Sequence, residues 1–142
     1  MAKATRPLFF RIRNNFYYAE KSDNIIGGIT TMIKKLVFVS VPMNGKTEDE
    51  VNRLIQMARD FYIKIRNVNA KEVAFIDNFD HGMKDDRYEN CAHPRIGYLG
   101  RAIKRLALCD EAVFGPGNGE SKGCCIERKV CATYDIPMII MK

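Results

Sequence analysis

Glu127 stands six residues after Ser121, and Ser121 follows the glycine-rich stretch Gly115-Pro116-Gly117-Asn118-Gly119. Glycines at Gly117 and Gly119 let a backbone approach a ligand closely. A helix opened by Ser121, Lys122 and Gly123 presents free amides in its first turn, a natural seat for an anion. Six residues make close to two helical turns. A carboxylate at Glu127 can therefore face the same crevice and reach the middle of a ligand whose anionic end sits at the helix start. Carboxylates in such places attack anomeric carbons. The competing possibility is a solvated helix glutamate paired with Arg128 or Lys129.

A second loop, Pro42-Met43-Asn44-Gly45-Lys46, also leads into a helix start. Ser40-x-x-x-x-Gly45-Lys46-Thr47 is one residue short of a Walker A loop, and Val73 to Asp77 imitates a Walker B strand. Ser40 replaces the first glycine, however, and Pro42 removes an amide from a loop whose purpose is to present amides. A P-loop-like phosphate-binding protein is thus the lesser alternative. No pair among His81, Cys91 and His93 has metal-ligand spacing, so no metal site is expected. No cofactor is called for either.

The elements that must position these groups follow a regular order. Leu36 to Val41 is a run of β-branched and aromatic residues, as in a buried parallel strand, and Pro42 ends it. Thr47-x-x-Glu50 is a capping box. The helix behind it carries Val51, Leu54, Ile55, Ala58, Phe61, Tyr62 and Ile65 on one face. Val73 to Ile76 is a second strand, closed by Asp77, and residues 78–94 read as polar and irregular. A second helix spans about Ile96 to Leu108 and buries Leu99, Ile103 and Leu106. Glu111 to Phe114 is a third strand, about Ser121 to Thr133 a third helix, and Pro137 to Met141 the last strand. Asp110 reads as a turn or strand-edge residue. Cys124, Cys125 and Cys131 read as ordinary buried thiols. Strands alternating with single helices predict an α/β fold, an open Rossmann-like parallel sheet of about four to five strands with helices on both faces. Ligands of such sheets sit beyond the carboxyl ends of the strands.

Composition narrows the partners. The chain has 142 residues, 46% hydrophobic and 28% charged, which suits one ordinary globular domain. No apolar stretch approaches a membrane span, and Met1 to Tyr18 lacks the apolar core of a secretory signal. Lys3, Arg6, Arg11, Arg13 and Lys21 against Glu20 and Asp23 place half of the +6 net charge in the first 31 residues. That arm, residues 1–31, reads as accessory or non-native, with Met32 as a candidate internal start. Its composition leaves open whether it has a fixed structure of its own. The rest is mildly basic, which suits a nucleotide but does not single out nucleic acid, and polynucleotide binding is not expected. Five cysteines without framework spacing suggest reduced thiols and a cytoplasmic location.

Four stretches together resemble the small nucleoside 2-deoxyribosyltransferase-like proteins: Val39 to Thr47, Tyr98-Leu99-Gly100, Cys109 to Phe114, and Ser121 to Glu127. The resemblance covers about Lys35 to Lys142 and excludes the arm. It implies a Rossmann-like domain over residues 32–142. This domain would cleave, or transfer across, the N-glycosidic bond of a deoxynucleoside or its 5′-monophosphate. Glu127 falls at the family nucleophile, and Ser121 where the nucleotide-hydrolysing branch places a phosphate-binding serine. Lys46 and Lys122 would add to the phosphate site, and Val41, Pro42, Met43 and Asn44 would line the sugar and base pocket. Two departures stand out. The helical aspartate that assists proton transfer to the base is replaced by Ala102, and an aromatic residue of the last loop by Asn118. Asp77 or Asp80 can substitute for the missing acid. The alternative is a catalytically inactive protein that binds or sequesters a nucleotide. Relatives of this kind form dimers or larger homo-oligomers, and the aromatic arm gives a further reason to expect association.

Overall fold

The computed structural model describes residues 8–12, 15–19, 33–80 and 84–142; Met32 and His81, both named above, lie outside them. Within the arm, β1 (Leu8–Ile12) and β2 (Asn15–Ala19) pair antiparallel, with Leu8 opposite Ala19 and Ile12 opposite Asn15. The arm thus includes a two-stranded ladder, in keeping with the strand preference of its aromatic residues.

The main body alternates strands and helices: β3 (Lys35–Ser40), α1 (Glu48–Arg66), β4 (Val73–Asp77), α2 (Asp86–Glu89), α3 (Pro94–Leu106), β5 (Glu111–Phe114), α4 (Lys122–Thr133) and β6 (Met138–Ile140). The four strands form an all-parallel sheet in the order β4-β3-β5-β6. This is the expected open α/β sheet. Strand alternation divides its core in two. Val37 and Val39, with Val41 beyond the strand end, pack with Val113 against Val51, Ile55, Ala58 and Tyr62 of α1. Phe38, Ala112 and Phe114 face the other way, against Ala102 and Leu106 of α3 and Cys124 and Cys131 of α4. Helices therefore cover both faces. The chain steps outward from β3 to β4, then returns to place β5 on the other side of β3. This reversal falls between β3 and β5, and sheets of this kind bind ligands at such a switch point, beyond the carboxyl ends of the strands.

Local sequence explains most boundaries. The Thr47–Glu50 capping box is complete, with Thr47 N–H donating to the Glu50 carboxylate (2.7 Å) and Glu50 N–H to Thr47 Oγ1 (3.2 Å). Several features depart from the sequence expectation. Ile65 is exposed, because the inward side chains of the last α1 turn are Tyr62 and Arg66, both bonded to Glu111. α3 starts at Pro94, whose fixed φ suits the first turn, and it fully buries Ala102 and Leu106 while Leu99 and Ile103 are only half-buried. The segment expected to be irregular contains α2, capped by Asp85, which accepts from the Arg87 amide. Cys125 is exposed on α4, whereas Cys124 and Cys131 are buried; none of the five cysteines is paired. Asp110 serves the sheet, its carboxylate accepting from the Leu36 amide at 3.0 Å.

At the amino ends of the strands, Glu111 is buried. It accepts from Tyr62 Oη (2.7 Å), Lys35 Nζ (3.1 Å) and the Arg66 guanidinium. Burial pushes its carboxyl up, but these three donors outweigh that and hold it below the ordinary value.

Candidate active site

Ser40 is the last residue of β3, and its place in the pleat turns its side chain toward α3 and α4. α4 begins at Ser121, whose hydroxyl caps the helix by accepting from the Cys124 amide at 3.4 Å. Two turns in, Glu127 lies on the buried side of the helix between Cys124 and Cys131 and is only 2% exposed. The Ser40 hydroxyl donates to the Glu127 carboxylate. Asn78, just past β4, closes the group: its Nδ2 reaches Ser40 Oγ at 3.5 Å. Burial pushes the Glu127 carboxyl up to about 7, although hydrogen bonds from Ser40 and Asn78 work in the opposite direction. A solvated glutamate paired with Arg128 or Lys129 is therefore not what the fold makes of this residue. Arg128 turns instead to Asn118 Oδ1, at 3.0 Å.

The loops after β3 and β5 touch each other. A Cβ added at Gly117, where φ is +76°, would sit 3.4 Å from Pro42 Cγ. One at Gly115 would come within 2.8 Å of Val41 Cγ1, so the close approach of the two strand ends requires glycine there. Ser121 and Gly123 are half-buried, Lys122 is exposed, and no acid occupies the first turn of α4. The α1 start differs. The Glu50 carboxylate already takes the anion's place, and Glu48 and Asp49 add further negative charge. These groups make the α1 start a poorer seat for an anion, and for the Lys46 contact expected beside it, than the α4 start. The Thr47 hydroxyl, which the P-loop reading would turn to a ligand, accepts from the Glu50 amide in the cap.

The remaining expected site residues divide. Pro42 and Met43 are half-buried and Asn44 is exposed, while the Val41 side chain is buried in the α1 core and cannot line a pocket. Asp77 is not brought to Glu127. It pairs in register with Val39, on the α1 face, where its carboxylate meets Arg59 at 3.3 Å. Asp80 is held by Arg105 at 2.6 Å, with Arg101 at 3.5 Å. Neither acid stands in for the one missing at Ala102, which is buried against Phe38 and Leu106. Asn118 is not free for a ligand: its Nδ2 donates to the Gly115 carbonyl (2.8 Å) and the Met141 carbonyl (2.9 Å), and its Oδ1 accepts from Arg128. Asn118→Ala is expected to lower stability by about 1–3 kcal/mol, seen as an earlier urea midpoint, because two carbonyls and a guanidinium lose their partner.

Ser40 and Asn78 were not singled out as site residues by sequence reasoning. The usable signal was strand alternation, which places both on the face opposite Asp77. Among the described residues, no group of three or more His, Cys, Asp or Glu side chains is arranged to hold a metal ion. No helix there is long and apolar enough to cross a membrane. Comparison with protein-family models, with curated proteins and with solved structures found no match for this chain.

Proposed function

We propose that this protein acts on the N-glycosidic bond of a deoxynucleoside or its 5′-monophosphate, with Glu127 as nucleophile. One observation carries the reading: a buried carboxyl, titrating near neutrality, sits at the carboxyl end of the central strand within two turns of an acid-free helix start. A phosphate at the Ser121–Gly123 turn would place the sugar toward Glu127. The carboxylate then attacks the anomeric carbon, the bond to the base breaks, and a glycosyl ester forms on Glu127. Water releases the sugar in a hydrolase, and a second base accepts it in a transferase. The resemblance to nucleoside 2-deoxyribosyltransferase-like proteins supports this choice of substrate. The direct assay incubates the full chain with each deoxynucleoside 5′-monophosphate and follows free base by chromatography. Base release that disappears in Glu127→Ala is the expected result. Release from none of them rules the reading out.

A second reading, a protein that binds the nucleotide without turnover, is favoured by two observations. Ala102 supplies no acid for the leaving base, and Glu127 is 2% exposed, so attack requires the groups covering it to move aside. Calorimetry with the same nucleotides, followed by product analysis, separates the two. Binding with intact ligand recovered supports the second reading.

A further inference from the structure

The side chain of Asn78 is fixed in one orientation. Its Oδ1 accepts from the Val41 amide (3.3 Å) and its Nδ2 donates to the Val41 carbonyl (3.3 Å). Turning the amide over would set oxygen against oxygen and N–H against N–H, so the assignment is unambiguous. The second Nδ2 hydrogen points to Ser40 Oγ, which can only accept there. Ser40 must then send its single proton elsewhere, and two acceptors are in reach: the Glu127 carboxylate and Cys124 Sγ at 3.2 Å. A carboxylate is a far stronger acceptor than a thiol, so the proton goes to Glu127. Ser40, Asn78 and Glu127 are 0%, 5% and 2% exposed, so water does not compete for these bonds.

From this one-way chain we infer that Ser40 and Asn78 are positioning residues that orient the Glu127 carboxylate and favour its ionised form against burial. The functional meaning of the inference rests on Glu127 being the nucleophile. Among the described residues, the buried cluster on this face of the sheet is made of apolar side chains and thiols. α4 contributes Cys124 and Cys131, α3 contributes Ala102 and Leu106, and β5 contributes Ala112 and Phe114. Glu127 raises both neighbouring thiols further, so they stay neutral and lend it no charge. Among the described residues, neutral donors and not a cation support the carboxylate. Removing them should therefore leave burial unopposed.

The test is a carboxyl titration of the full chain carrying 13C-labelled glutamate, with the Glu127 resonance assigned through Glu127→Gln. Ser40→Ala is expected to raise the Glu127 midpoint by about one pH unit, the usual worth of a hydrogen bond to a charged group. Ser40→Thr keeps the hydroxyl and should restore the parent midpoint. Asn78→Ala leaves the Ser40 contact in place and should produce a smaller rise; it carries the test if Ser40→Ala does not fold by circular dichroism. Midpoints within about 0.2 units of the parent in the folded variants overturn the inference. A shifted midpoint without any base release upholds the chain of donors and removes the glycosidic reading. Base release with an unmoved midpoint does the reverse.

Discussion

Glu127→Gln is expected to stabilise the protein at pH 8 by about 3 kcal/mol and to leave its stability nearly unchanged at pH 4. The native carboxyl keeps its proton up to about 7, whereas the unfolded chain releases it near the ordinary 4.5. Between those values the folded state binds more protons, so stability falls as pH rises and the full penalty is present above pH 7. Below 4.5 both states are protonated and the penalty vanishes. Glutamine has the shape of the acid, still accepts from Ser40, and never ionises. Urea midpoints at pH 4, 6 and 8 should therefore separate progressively, with the variant the more stable at high pH by roughly 10 °C in Tm. A variant less stable than the parent at pH 8 would contradict a buried carboxylate whose donors only partly offset its burial. The same substitution removes the proposed nucleophile, so stability and base release should move in opposite directions, as they do where a fold stores a costly group for chemistry.

The second large effect lies at the other end of the sheet. Glu111→Ala is expected to destabilise the protein by about 2–3 kcal/mol, because it leaves the wholly buried Tyr62 hydroxyl without an acceptor. The ion pairs contribute less, since the Lys35 and Arg66 side chains are 43% and 37% exposed. Glu111→Gln retains an acceptor for Tyr62 and should lose about half as much. The carboxyl is held below its ordinary 4.5, so its stabilisation is present above that value and lost as pH falls through the lower native value. The contrast with Glu127 is the check. The penalty of Glu111→Ala shrinks toward acid pH, while the benefit of Glu127→Gln grows toward alkaline pH. A loss below about 0.5 kcal/mol for Glu111→Ala would mean that water reaches Tyr62 and replaces the carboxylate.

These two carboxylates mark where sequence reasoning succeeds and where it stops. The order of strands and helices was legible because its signals are local. A run of β-branched residues marks β3, a Thr47-x-x-Glu50 pair opens α1, and glycines before Ser121 announce α4. From that order the parallel sheet and the crevice beyond its carboxyl ends follow. Glu127 could be named only as a candidate from its distance to Ser121, since spacing on one helix left a solvated glutamate open beside it. Glu111 could not, because its partners Tyr62, Lys35 and Arg66 are brought to it by the sheet from 49, 76 and 45 residues away.

The loop residues show the same limit from the other side. Asn118 and Val41 have the types and places of ligand groups, yet both are consumed by the fold, one bridging the ends of β5 and β6 and the other filling the α1 core. A loop side chain becomes free or engaged only when the neighbouring strand arrives. Asp77 and Asn78 put the point most sharply. Adjacent in sequence, they stand on opposite faces of the sheet, because successive strand residues alternate and a shift of one exchanges the two. By itself the sequence determined the four strands of the main sheet, the three long helices, the α1 cap and the helix bearing Glu127, since each depends on contacts within a few residues. Only the tertiary structure decided that Asn78, not Asp77, meets Ser40 and Glu127, because that contact joins chain positions 38 and 87 residues apart.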